Sequence, residues 1–202
     1  MRRDWITGLR IPAPLWRWWL AGWSGVHARV SPMLIVMSGL PGAGKSSVAE
    51  ALGRKLDAPV VSVDPIEAAM RRAGVDGSQP TGLAAYVVAE AVADGVLALG
   101  QTVIVDAVNA VEAAREQWRS LAERHGVSVV FIEVVCSDPV VHRQRLEGRS
   151  RDIEGFVEPT WEAVERLREE FAPWSDQRLV LDAVIDLPMN VATALGSLAA
   201  AS

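Results

Sequence analysis

From Met33 onward the chain alternates between two rhythms. Short apolar runs bounded by glycine, proline or aspartate give way to stretches whose apolar positions recur every three or four residues. Met33-Leu34-Ile35-Val36-Met37 has no polar interruption, as a parallel strand covered on both faces requires. Val48, Leu52 and Leu56 then fall four apart, forming one face of a helix. Ala58 to Val63 reads as a second strand ending at Asp64, and Pro65 predicts a helix over Ile66 to Ala73. Gly74 to Gly82 is rich in turn residues, and a long helix follows from Leu83 to Leu99, closed by Gly100. Thr102 to Val105 is a third strand ending at Asp106, and Val111 to Arg124 is a helix closed by His125-Gly126. Val127 to Val135 is the longest apolar run and is expected as a central strand. A helix over Pro139 to Glu147, a polar loop over 148–159 and a helix over Thr160 to Phe171 come next. A last strand, Arg178 to Leu181, and a helix from Asn190 complete the pattern. Strands alternating with helices predict an α/β domain with a parallel sheet and helices on both faces.

Composition changes this picture in one place. Half of the 202 residues are apolar and there is one cysteine, Cys136, which has no internal disulfide partner. That combination predicts a single soluble domain in a reducing, cytoplasmic setting. Net charge is −5, yet residues 1–32 carry a local +4 and five of the eight tryptophans, leaving −9 on the remainder. An acidic body speaks against a nucleic-acid partner. The leader is too short and interrupted to span a bilayer, and no small-residue cleavage site follows it. A membrane-surface segment remains an alternative for it, since Trp and Arg suit the headgroup zone. The favoured expectation is a poorly ordered extension over 1–32, or a misplaced start, with the functional domain at 33–202.

The chemistry is concentrated between the first strand and the first helix. Gly39-Leu40-Pro41-Gly42-Ala43-Gly44-Lys45-Ser46 fits G-x-x-x-x-G-K-S/T, the phosphate-binding loop, at every fixed position. Its three glycines permit backbone angles and approaches that a Cβ would block. Its N–H groups, with those of Ser46 and Ser47 at the start of the helix, can then converge on phosphate oxygens. Lys45, read as a surface loop residue, would reach the β- and γ-phosphates of ATP, and the Ser46 hydroxyl would take one Mg²⁺ position.

Ligands of open parallel sheets bind beyond the C-terminal strand ends, where this loop, Asp64 and Asp106 all fall. Asp64 is the candidate base for an acceptor hydroxyl, with a helix cap as the bland alternative. Asp106 could hold Mg²⁺, directly or through water, or bind the substrate hydroxyl. Arg143, Arg145, Arg149 and Arg151 form a basic cluster, and Arg145 with Arg149 is the pair chosen to stabilise the transferring phosphoryl group. Asn109 is placed as either a helix cap or a substrate contact, and His142 is expected at the surface. Trp118, Trp161 and Trp174 are expected to serve packing.

Together the loop at Gly39–Ser46, Asp64, Asp106 and the Arg145–Arg149 pair resemble the small P-loop kinases. That group includes shikimate, gluconate and adenylylsulfate kinases, chloramphenicol phosphotransferase and the zeta-toxin-like kinases. Val63-Asp64-Pro65-Ile66-Glu67-Ala68-Ala69-Met70 and Glu116-Gln117-Trp118-Arg119-Ser120 look most like segments of chloramphenicol phosphotransferase. The resemblance covers roughly Met33 to Leu187. It implies a P-loop NTPase three-layer sandwich with a five-stranded parallel sheet in the order 2-3-1-4-5, and Asp64 as the base. Two features depart from narrower members. No arginine pattern for a nucleoside monophosphate lies between Asp64 and Gly82, and Ile66 stands where shikimate kinases carry a second acid.

The leading expectation is an ATP- and Mg²⁺-dependent phosphotransferase acting on a hydroxyl of a small metabolite or antibiotic. The alternatives are a polynucleotide 5′-kinase module, which needs a basic groove, and a nucleotide-binding switch or assembly ATPase. Acceptor identity and oligomeric state are left open by the sequence.

Overall fold

Six consecutive buried residues form the axis of the sheet. The computed structural model describes residues 31–76, 78–148 and 158–201. The leader through residue 30, and with it the expectation for 1–32, lies outside these. The strands are β1 (Met33–Ser38), β2 (Val60–Ser62), β3 (Val103–Asp106), β4 (Ser128–Val135) and β5 (Arg178–Asp182). Between and after them run α1 (Lys45–Leu56), α2 (Val63–Arg72), α3 (Thr81–Ala98), α4 (Glu112–His125), α5 (Pro139–Gly148), α6 (Trp161–Glu170) and α7 (Leu187–Ala200). All strand pairings are parallel and the order is β2-β3-β1-β4-β5.

β1 alternates its side chains between two cores. Leu34 and Val36 join Val103, Val105, Phe131, Trp118 and Leu121 on the face covered by α3 and α4. Met33, Ile35 and Met37 join Val48, Leu52, Ile104, Ile132, Leu181, Val191 and Leu198 under α1 and α7. The result is three layers. Each fully buried Leu, Ile, Val or Met contributes roughly 1.5–3 kcal/mol, so the two-sided burial of β1 anchors the sheet. α3 reaches its side of the sheet through Ala85, Ala89 and Ala93, spaced four apart, which lets the helix approach closely. Among the described residues α3 is the one helix long and apolar enough to cross a membrane, but its small-residue stripe is part of this core.

Several boundaries differ from the sequence reading. β4 is an interior strand, as expected, between β1 at the middle of the sheet and β5; it is longer than its partners and its first three residues are exposed or half-buried. β2 ends at Ser62 and α2 begins at Val63, so Asp64 and Pro65 sit in the helix's first turn rather than at a strand end. Both residue types favour that turn. α7 begins at Leu187, not Asn190. Asp186 caps it by accepting from the Met189 N–H at 2.8 Å, and Pro188 follows within the first turn.

Candidate active site at the phosphate loop

The phosphate loop leaves β1 through a position that only glycine fits. Gly39 has φ +138°, and a Cβ there would overlap the Val134 carbonyl oxygen. The Gly39 N–H and the Ser38 Oγ both donate to the Val108 carbonyl oxygen, at 3.2 and 3.0 Å, tying the loop's start to the segment after β3. A turn bond from the Ala43 N–H to the Leu40 carbonyl, 3.1 Å, closes the loop. Gly44, left-handed at φ +95°, is the N-cap of α1. No side chain caps this helix and its first turn holds no acid. Its positive end is therefore kept for an external anion.

Lys45 is not the surface residue the sequence suggested: it is 3% exposed. Ser46 is half-buried and Ser47 exposed at the start of the helix. His142 is likewise buried, at 1% exposure, against the expectation of a surface residue. Its Nε2 lies 2.8 Å from the Pro41 carbonyl oxygen, and Arg168 Nη2 lies 3.3 Å from its Nδ1. These partners assign a neutral ring that donates through Nε2 and accepts through Nδ1. Trp161 meets the ring edge-on at 5.3 Å between centroids. Burial holds His142 below the ordinary histidine value; the nearby charges of Arg168, Arg145 and Lys45 act in the same direction, against the Pro41 bond. His142 thus braces the loop from below.

The two acids flank this loop. Asp106 is paired in register with Met37 on one side and Ser62 on the other, so it reaches the strand ends beside the loop. It is 6% exposed. Its Oδ2 accepts from Ser62 Oγ at 3.2 Å, whereas Oδ1 is buried with no hydrogen-bond partner among the described residues. Leaving such an oxygen open is costly unless something else occupies it. The described residues contain no cluster of three His, Cys, Asp or Glu side chains that could hold a metal. That donor set fits Mg²⁺, which is commonly held by one or two protein oxygens with the rest from water and substrate phosphate.

Asp64 lies half-buried in the first turn of α2. The N-cap position of that helix is Ser62, whose side chain makes no capping bond, two residues before Asp64. Asp64 opens onto a cavity of about 440 Å³ between α2, α3, α4 and the segment after β3. Arg145 is exposed in the last turn of α5, close enough to lower the pKa of both His142 and Asp182. Arg149 and Arg151 lie outside the described residues.

The segment Ala107–Val111 walls this cavity and is held by a network the sequence reading missed. Asn109 is neither a cap nor a free substrate contact. It is buried with φ +51°, donates Nδ2 to the Met37 carbonyl at 2.7 Å, and accepts at Oδ1 from Trp118 Nε1 at 2.9 Å. Its own N–H donates to the Tyr86 hydroxyl at 3.0 Å. Arg115 is fully buried and donates to four backbone carbonyls: Asn109 at 3.0 Å, Ala110 at 3.2 Å, Ala172 at 3.0 Å and Pro173 at 2.9 Å. Its guanidinium lies 3.8 Å from the Trp174 ring centroid. Trp118 is fully buried, Trp161 nearly so and Trp174 half-buried, as expected of packing residues. Tyr86 carried a visible signal, being the one tyrosine of the chain, set in a mostly apolar helix.

A family model described as an AAA domain matches residues 34–174. Among curated proteins none matches significantly. Solved structures with the same fold include an APS kinase from Mycobacterium tuberculosis, in complex with AMPPNP and APS. That structure is 18% identical, with TM-score 0.61, over 83% of this chain and 98% of that one. A gluconokinase from Sinorhizobium meliloti is 20% identical, with TM-score 0.63, over 85% and 94%. Kti12 from Chaetomium thermophilum, in complex with ADP-AlF3, is 19% identical, with TM-score 0.64, over 83% and 98%. These likenesses establish a shared fold and no shared substrate. The sheet order, the phosphate loop and the family match over residues 34–174 together place this chain in the AAA domain family, among proteins of the small P-loop kinase fold.

Proposed function

We propose that this protein transfers the γ-phosphate of ATP to a hydroxyl group of a small molecule. The observation that carries the reading is the placement of Asp64 on a cavity that opens beside the phosphate loop, with Asp106 between them. The loop amides and Lys45 hold the phosphates of ATP. Mg²⁺, when bound by Ser46 and Asp106, supplies neutralising charge to the phosphate oxygens. Asp64 accepts the proton of the acceptor hydroxyl as that oxygen bonds to the γ-phosphorus. The bond from the γ-phosphorus to the bridging oxygen breaks and ADP leaves with its electron pair. Arg145, with Arg149, offsets the charge spread over the transferring group. Likeness to gluconokinase and APS kinase supports transfer to an alcohol, and the acidic lining of the cavity favours a small molecule over a polynucleotide.

The test is ADP release from MgATP with and without a panel of hydroxylated compounds, with the phosphoester product identified by mass. Release that depends on acceptor supports the proposal. Hydrolysis at an unchanged rate across the panel supports the second reading, a nucleotide-dependent switch or assembly ATPase. That reading is favoured by the likeness to Kti12, whose name carries no kinase activity.

A further inference from the structure

We propose that the outward face of α3 is a self-association surface, on which a second copy of this chain docks through the same face. α3 is apolar on two sides. Ala85, Ala89, Ala93 and Leu97 fill the core on one of them. On the other, Ala84, Ala91, Gly95 and Ala98 are exposed and run along the middle of the face at helical spacing. Leu83 and Val87 rise on one edge of this line, and Val88, Val92 and Leu99 on the other, each between 39% and 76% exposed. The acids of α3 are held against α4: Glu90 accepts from Arg124 at 2.7 Å, and Asp94 Oδ1 lies 2.9 Å from His125 Nε2. The face itself is uncharged.

Two features point to an identical helix as the occupant. Glycine in a helix interior is costly next to alanine, yet among the described residues a Cβ at Gly95 would meet no atom within 4 Å. A channel of small residues between two apolar edges lets another helix approach closely, and a second α3 brings the matching channel across a two-fold axis. The face runs about 25 Å along the helix and offers on the order of 700 Å² per copy. That exceeds the largest apolar patch usual on a monomer and is close to the ~800 Å² a stable interface takes from each partner. A bilayer fits the face less well. Helices that lie on membranes set aromatic residues on the apolar face and Lys or Arg beside it. α3 has no Lys or Arg, and its one aromatic, Tyr86, accepts from the Asn109 N–H. Leu83 joins the face to the candidate site, since it also lines the cavity beside Asp64, and pairing covers that edge of the cavity.

The test is analytical ultracentrifugation of the full-length protein over about 1–100 μM, a range in which an interface of this size should associate. The parent should be a dimer at the upper end. Ala91→Glu, which sets a charge in the middle of the face, should raise the dimer Kd at least about 100-fold. Gly95→Leu, which fills the channel, should raise it at least about tenfold. Both positions are exposed and both new residues are good helix formers, so circular dichroism should show an intact fold. Val140→Glu, at an exposed apolar position on α5, should leave the dimer unchanged. A parent that stays monomeric at about 100 μM, a dimer that survives either α3 variant, or one lost equally in Val140→Glu overturns the proposal. A monomeric parent that floats with phosphatidylcholine–phosphatidylserine vesicles, and is released from them by Ala91→Glu, overturns it too and assigns the face to a membrane.

Discussion

Replacing Arg115 with methionine should be among the most damaging single changes outside the phosphate loop. The side chain is fully buried and donates to the carbonyls of Asn109, Ala110, Ala172 and Pro173. Methionine fills a similar length but satisfies none of them. Two opposing effects decide the outcome. Removing the charge recovers a desolvation cost, visible in the lowering of the Arg115 pKa by burial. Against this, four carbonyls, two of them in buried bonds, lose a charged donor, at about 1 kcal/mol each, and the stacking on Trp174 is lost, at about 0.5–2 kcal/mol. Glu112, 3.8 Å away and half exposed, does not compensate. The lost donors win, although the Ala110 carbonyl still accepts from the Ala172 N–H at 2.8 Å, and the net loss should be about 3–5 kcal/mol. For a domain of this size that lowers Tm by roughly 6–20 °C. Urea denaturation followed by tryptophan fluorescence measures the change in stability. Because Arg115 also pins the wall of the acceptor cavity, the variant should raise KM for acceptor more than KM for ATP. A stability loss under about 1 kcal/mol, or an equal rise in both KM values, would refute the reasoning.

Three further outcomes are expected. Lys45→Ala should weaken ATP binding about 10- to 100-fold, the scale of one or two charge-assisted hydrogen bonds, measured by calorimetry; unchanged affinity would remove Lys45 from the phosphate site. Asp64→Asn should slow phosphotransfer by about 10²- to 10⁴-fold while leaving ATP affinity nearly intact. Lost ATP affinity in that variant would instead assign Asp64 to the magnesium environment and make Asp106 the better base. His142 is held below the ordinary value of 6.5, so the unfolded chain takes up this proton first as pH falls, and the stability from the neutral ring is complete above about 6.5 and lost below it. Thermal melts at pH 7.5 and 5.0 should show a smaller drop for His142→Gln than for the parent, and equal drops would contradict the bracing role.

The parts legible in the sequence are those specified by neighbouring residues. The β1 run, the glycine spacing of the loop and the stripe of α1 are local patterns, and the structure reproduces them at Met33–Ser38 and Lys45–Leu56. Alternation of strands and helices implied a parallel sheet, while the strand order came from the resemblance and matches. The misplaced residues depend on partners far along the chain. His142 is buried by a bond to Pro41, 101 residues earlier, and Arg115 by carbonyls 57 and 58 residues later. In sequence both look like members of charged, solvated helix faces. Asn109 hid its role for a different reason: its left-handed backbone and its bond to Met37 leave no mark on local periodicity. The start of α7 was readable, since Asp186 and Pro188 carry an ordinary helix-start signal that the apolar pattern beyond Asn190 outweighed.

The double attachment of Val108 to Ser38 and Gly39, with the Asn109 bond to Met37, has a consequence for anyone wishing to change what the enzyme accepts. One wall of the cavity proposed for the acceptor is riveted to the first residues of the phosphate loop, so altering its side chains should disturb nucleotide and acceptor together. On the wall formed by α3, Tyr86 makes the bond to Asn109, and Gly82 and Leu83 one turn earlier make none of these attachments. Gly82 lines the cavity there, and a Cβ on it would meet no atom within 4 Å. Its neighbour Leu83 is 67% exposed. A library confined to these two positions should broaden or shift acceptor range while the affinity for ATP stays where it was.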